Sequence, residues 1–317
     1  MAGRKVLVIA GPTATGKSAM SLDLAMRFPI EVISADSMQI YRGMDIGTDK
    51  VSLEQRAQVR HHLIDIKDPD EPWSVEEFKS LASQAIEDIS GRGLLPCIVG
   101  GTGLYIRALL RDFPLQDAPP DWELRRSLTQ MAAEKGNQAV HALLRDRDPV
   151  SYRTLHPNDQ KRVIRALEYH KATGRPISER LLVQPVSPYD ALWIGISWNR
   201  QLMDERIDNR VEEQWKRGFV QEVQALLEKD YSEDLASMQG LGYKEVCLML
   251  RGLLTPDEAK ALIKRNTRRY YKRQLTWFSR EEGINWVSAG NDIAWISTVE
   301  AASNLCEKWL ANNLGGN

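Results

Sequence analysis

The sequence predicts an α/β protein: a P-loop NTPase-like parallel sheet with a helical insertion domain. Three observations predict it. Residues 5–10 (KVLVIA) are a short apolar run that leads straight into the glycine-rich segment GPTATGKS at residues 11–18, the strand–loop–helix order that a phosphate-binding turn requires. Strand-like and helix-like segments then alternate through the first hundred residues, which builds a parallel sheet covered by helices on both faces. From about residue 117 to 190 the strand signal gives way to prolines and charges at helical spacing, and it returns at residues 191–197 (ALWIGIS).

In chain order, KVLVIA is continuously apolar because a parallel strand is buried on both sides. The turn after it opens a helix to about Phe28, and residues 31–35 (EVISA) form a second strand with Asp36 at its carboxyl end. Ser74 with Glu77 makes a capping box for another helix, which ends near Gly91 and Gly93. Residues 94–99 (LLPCIV) are a third strand, closed by Gly100, Gly101 and Thr102, and a helix follows to about Arg111. Beyond the insertion, Thr255, Pro256 and Glu258 supply a cap, an N1 proline and an N3 acid. A short strand at 284–287 and a last helix to about Asn312 complete the chain. The expected division is a catalytic core of residues 1–116 and 191–317, with residues 117–190 as the insertion.

With 42 basic against 43 acidic residues, net charge points to no partner, and only local clusters can. The amino-terminal apolar run is too short for a secretion signal or a membrane span. A cytoplasmic monomer without membrane contact is expected. Cys97, Cys247 and Cys306 have no zinc-ligand spacing and read as buried filler in a reducing compartment.

Gly11, Pro12, Thr13, Ala14, Thr15, Gly16, Lys17 and Ser18 match G-x-x-x-x-G-K-[ST]. Backbone N–H groups and the helix start face an anion, Lys17 adds charge to its oxygens, and Ser18 can hold Mg²⁺. The loop reads phosphates and not adenine, so ATP binding stays open. The third strand ends in glycines where NTPases place a metal-binding carboxylate, and no Asn-Lys-x-Asp guanine motif exists, which argues against a GTPase or motor. Asp36, at a strand's carboxyl end where open sheets bind ligands, is a candidate general base, with a turn cap as the alternative.

Two basic clusters suit RNA phosphates. Residues 260–280 carry Lys260, Lys264, Arg265, Arg268, Arg269, Lys272, Arg273 and Arg280 with no acid. At helical spacing, Arg265, Arg268, Arg269 and Lys272 share one face, while Ile263, Tyr270 and Trp277 lie on another. Lys161, Arg162 and Arg165 follow a helix start in the insertion. A small-molecule kinase and a non-catalytic RNA-binding protein remain open as rivals. Intact Lys17, Ser18 and Asp36 weigh against the second.

The segments GPTATGKS (11–18), ISADSMQIYRGMDIGT (33–48), HHLID (61–65), VGGTGLY (99–105), HPNDQKRVIRALE (156–168), GLGYKE (240–245) and RNTRRYYKRQLTWF (265–278) together resemble the bacterial tRNA dimethylallyltransferases. That resemblance implies transfer of a dimethylallyl group from dimethylallyl diphosphate, with Mg²⁺, to N6 of adenosine 37 in tRNA. It also implies an insertion that grips the anticodon stem-loop. Asp36 would accept the N6 proton, while Lys17, Thr13 and Arg210 would face the diphosphate. The positions it brings near tRNA are Asp36, Ser37, Met38, Gln39, Thr102, Arg125, Lys161, Arg162, Val163, Ile164, Arg165, Gln239, Gly240, Leu241, Gly242, Tyr243 and Lys244. A free-nucleotide prenylating relative would need neither the insertion nor the basic helix. The zinc finger of longer members is not expected, since the chain ends at Asn317.

Overall fold

The computed structural model describes residues 3–111, 120–182, 187–290 and 292–312. Its strands are β1 (Arg4–Ala10), β2 (Ile30–Ser34), β3 (His61–His62), β4 (Leu95–Gly100), β5 (Tyr189–Trp198) and β6 (Ile284–Ala289). They form one parallel sheet in the order β3-β2-β4-β1-β5-β6. In the first part of the chain the helices are α1 (Lys17–Ala25), α2 (Leu53–Gln58), α3 (Val75–Gly91) and α4 (Gly103–Leu110). The insertion holds α5 (Trp122–Lys135), α6 (Asn137–Ala142), α7 (Pro149–Thr154) and α8 (Gln160–Thr173), and α9 (Arg200–Lys216), α10 (Phe219–Glu228), α11 (Tyr243–Leu250), α12 (Pro256–Phe278) and α13 (Asp292–Ala311) follow.

The sheet is covered on both faces, which is why its strands read as unbroken apolar runs. Val6, Val8 and Ala10 of β1 point into one core with Phe78, Ile106, Val211, Ile263 and Phe278. Leu7 and Ile9 point the other way, against Met20 and Leu24 of α1 and Val299, Ala302 and Cys306 of α13. All three cysteines are free and buried. The capping boxes at Ser74 with Glu77 and Thr255 with Glu258 are both present.

Some details differ from expectation. β3 is only two residues long, too short to leave a periodic signal. α1 stops at Ala25, short of Phe28. β2, the next strand in sequence, is not the neighbour of β1, because β4 lies between them. The chain divides into one unit of Met1–Leu110 with Pro188–Asn317 and a second of Arg111–Ser187. The expected boundary at 116/117 lies outside the described residues. The one at 190/191 falls inside β5, whose Tyr189 and Asp190 pair with Arg4 and Lys5 of β1.

The insertion has its own core of Leu128, Val140, Leu144, Val163, Ile164 and Leu167. Beside it the buried Glu168 carboxylate accepts bonds from Arg125, Arg165 and the Asp121 N–H. Burial pushes the Glu168 carboxyl up, and these donors more than offset it, so it titrates below the usual range. Glu168→Gln should therefore loosen the insertion, at a cost of about 1–3 kcal/mol for the groups left unsatisfied. Amide exchange across α5 and α8 checks this; unchanged protection there would count against it.

Candidate active site

The turn from β1 to α1 takes left-handed backbone at Ala14 (φ 63°) and Gly16 (φ 92°). An alanine in that region carries strain of about 1–3 kcal/mol, tolerated only where the surroundings hold it. Here they do. Gln274 of α12 accepts the Thr13 N–H at 2.8 Å, Arg206 of α9 donates to Ala14 O at 3.0 Å, and the Trp198 indole donates to Thr15 O at 2.9 Å. Arg206 stacks on the Trp198 ring at 4.0 Å. Arg210 donates to Thr13 Oγ1 at 2.8 Å, and Lys17 Nζ folds back to Pro12 O at 2.5 Å.

Opposite this loop stands Asp36, just past β2. Its Oδ1 accepts the Met38 N–H at 2.8 Å, so the carboxylate does cap a turn, and it also lines the pocket that Lys17 enters. β4, between β1 and β2, ends in Gly100 and Gly101. A Cβ on Gly100 would collide with the Ala35 carbonyl, and one on Gly101 with the Gln274 amide. Bare backbone at this strand end lets Ala35 and Gln274 pack directly against β4, beside the loop and Asp36. The pocket here, about 380 Å³, is lined by Thr13, Lys17, Ser18, Asp36, Arg206, Arg210, Arg217, Tyr270 and Gln274, among others.

Burial lowers the Lys17 pKa to about 8, with Asp36 opposing the shift and Arg210 adding to it. Burial, then Asp36, pushes the Tyr270 hydroxyl up to about 12, so it stays a donor at neutral pH. Ser18, on the first turn of α1, also faces the pocket. No cluster of three or more His, Cys, Asp or Glu side chains among the described residues could hold a metal alone. A hydroxyl beside an anion pocket fits Mg²⁺, which takes few protein oxygens and completes its shell with phosphate oxygens and water.

A family model described as IPP transferase matches residues 39–281, and one described as isopentenyl transferase matches residues 4–67. The tRNA dimethylallyltransferase of Symbiobacterium thermophilum is 47% identical, with 96% of each chain covered. The chain belongs to the tRNA dimethylallyltransferase family. The crystal structure of the Bacillus halodurans tRNA isopentenylpyrophosphate transferase matches with a TM-score of 0.72 and 40% identity, over 98% of this chain and 99% of that one. A eukaryotic dimethylallyltransferase acting on tRNA matches with a TM-score of 0.83 and 29% identity, over 98% of this chain and 80% of its own. This prenyltransferase is thus an enzyme of tRNA modification on a P-loop core. Enzymes of this kind generally use a divalent metal. No helix among its described residues is long and apolar enough to cross a membrane.

Other residues singled out for this dimethylallyltransferase fall into two groups. Ser37 N–H donates to Thr102 Oγ1 at 3.3 Å, and Met38 lies where a Cβ on Gly240 would be, so Asp36, Ser37, Met38, Thr102 and Gly240 gather at one place. Gln39 bonds Ser34 and Thr48. Leu241 is half-buried, while Gln239 and Lys244, like Lys161 and Arg162 of the insertion, are exposed. The second group has its side chains buried or engaged within the protein. Val163 and Ile164 are buried in the insertion core and cannot offer side chains to RNA. Arg125 and Arg165 are held by Glu168. Gly242 and Tyr243 are buried, with the Tyr243 hydroxyl on Glu222. The basic face of α12 also needs correcting: Lys260 and Lys264 point at Glu212 of α9, and Arg268 at Asp204 and Asp208. Arg265, Arg269, Lys272 and Arg273 are the exposed ones.

Gln274, Arg206, Arg217 and Asp49 were not foreseen. The arginines leave a readable trace, since 206, 210 and 217 share one side at helical spacing. A diphosphate beside Lys17 favours its charged form, so binding at pH 8.5 should take up a proton. Calorimetry of inorganic pyrophosphate binding in two buffers of different ionisation heat measures this uptake. Lys17→Met should abolish its share, and an identical uptake in the variant would contradict the assignment.

Proposed function

We propose that this chain transfers the dimethylallyl group of dimethylallyl diphosphate to N6 of adenosine 37 in the tRNA anticodon stem-loop, as a cytoplasmic monomer. One observation carries the reading: in a member of this family, the cationic P-loop and the Asp36 carboxylate face each other across the glycine end of β4. As the C1–O bond breaks, its electron pair and growing charge go to the departing diphosphate. Lys17, Arg210, Thr13 and the loop N–H groups stabilise that charge where it develops. The N6 lone pair forms the new C–N bond, and Asp36 takes the N6 proton. The adenine leaves its stack to reach the pocket. Ser18 would hold Mg²⁺, which would supply further positive charge beside the departing diphosphate when bound.

Around the entering nucleotide, the segments 36–39 and 239–244 and Thr102 are the contacts in this reading, with Lys161 and Arg162 of the insertion on the stem-loop. Val163, Ile164, Gly242 and Tyr243 support these segments from behind. A nucleotide at the P-loop in place of the prenyl diphosphate is compatible with the same cradle. The test is purified protein with dimethylallyl diphosphate, Mg²⁺ and unmodified tRNA, with mass analysis of the nucleosides. Prenylated adenosine is expected, and ATP consumption with a phosphorylated product would favour a kinase instead. Asp36→Asn keeps the turn-capping oxygen and removes the base, so single-turnover chemistry should fall by about 10²–10⁴ with the melting temperature retained. Near-normal chemistry in that variant would leave Asp36 a turn cap.

The exposed cations of α12 support RNA contact. Replacing Arg265, Arg269 and Lys272 with Gln should flatten the dependence of log tRNA affinity on log salt by about two to three units, roughly one per phosphate contact. Pyrophosphate binding should be unaffected. An unchanged salt slope would remove this face from the RNA interface.

A further inference from the structure

Asp49 stands at the pocket mouth with its carboxylate between two arginines. Oδ1 is 3.1 Å from Arg217 and Oδ2 is 3.8 Å from Arg210 Nε, while Arg210 also reaches Thr13 of the P-loop. The backbone that delivers Asp49 is held on both sides. The Glu222 carboxylate accepts the N–H groups of Asp45, Ile46 and Gly47 at 2.6–3.1 Å, and Gln214 donates to the carbonyls of Ile46 and Gly47 at 3.0 Å. On the far side, the buried Lys50 ammonium bonds Asp45, Asp65 and the Tyr41 carbonyl. Asp49 itself takes φ 53°, a conformation that Asp and Asn accept more readily than other side chains.

An acid fixed here is unexpected for a site that must bind an anion, because a carboxylate near phosphates repels them. It also keeps two long cations gathered at the mouth in the absence of substrate. We infer that Asp49 is a resident counter-anion: it holds Arg210 and Arg217 in place of the diphosphate and yields them when the diphosphate arrives. It thereby weakens the grip on substrate and on released product alike. The inference rests on the reading of this pocket as a diphosphate site. Its consequence lies at the end of the cycle. The leaving diphosphate carries its full charge once the C–O bond has broken, and a mouth of uncompensated arginines would retain it. Asp49 competes for those arginines and speeds departure.

The experiment is calorimetric titration of the whole protein with inorganic pyrophosphate and Mg²⁺, comparing wild type with Asp49→Asn. Asn keeps the shape and the backbone preference and removes the charge. Affinity should rise about 1.5- to fivefold at low salt, the range open to solvent-accessible ion pairs, and the gain should shrink as salt screens it. Pyrophosphate should inhibit the variant's turnover more strongly by a similar factor. In an Arg217→Gln background the gain from Asp49→Asn should be smaller, because one competing cation is gone. Unchanged or weaker pyrophosphate binding in Asp49→Asn, while wild type binds pyrophosphate and prenylates tRNA, overturns the role of Asp49 alone. A wild type that neither binds pyrophosphate nor transfers overturns this inference together with the diphosphate reading.

Discussion

A loop that binds an anion through its backbone must keep its N–H groups turned inward when no anion is there. Every other feature of the core depends on how the turn after β1 meets that demand. Its carbonyls are fastened from outside by Arg206 and Trp198, and its threonine by Arg210. One of its N–H groups is occupied by Gln274, whose own amide continues to the Gly101 carbonyl. The fastenings come from β5, α9 and α12, elements far away in sequence. Preorganisation at the transition state is therefore built by the second half of the chain, although the motif itself lies wholly in the first.

α9 shows how one helix can serve two opposing surfaces. Asp204, Asp208 and Glu212 recur every four residues; the two aspartates pair with Arg268 of α12, and Glu212 with Lys260 and Lys264. Arg206, Arg210 and Arg217 line the pocket on another side. The acidic row pairs three of the seven cations on α12 and fixes the register of the two helices. The remaining cations of α12 stay outward, and Gln274 stays inward against the P-loop. These are part-exposed pairs, individually worth little; their effect is to set which residues of α12 face which way.

Much of the core was legible in residue order, and the reasons are local. Strand β1, the turn after it, and the caps at Ser74 and Thr255 depend on neighbours a few residues away, which is what periodicity and capping rules read. The sheet order was not legible, because nothing near β2 says that β4 will slide between it and β1. The same limit hid Gln274 and Asp49, and it made Arg268 look like a surface cation when its partners sit about sixty positions earlier. Val163 and Ile164 show the complementary error: they share a segment with the exposed cations Lys161 and Arg162, yet their own side of α8 is core.

The glycine end of β4 ties the fold to the chemistry. A nucleotide hydrolase needs an acid near this strand end to place a metal and a water. Gly100 and Gly101 instead bring bare backbone against Ala35 and Gln274, with no carboxylate at that spot. The nearest acid is moved one strand outward, to Asp36 after β2. That displacement suits a different reaction. When the diphosphate is the leaving group and not the group attacked, the acid is needed on the far side of the reacting carbon, where the incoming nucleophile sheds its proton. A pocket with its cations on the β1 side, glycines at β4 and the Asp36 carboxylate on the β2 side has the layout that separates the two ends of such a displacement along the sheet edge.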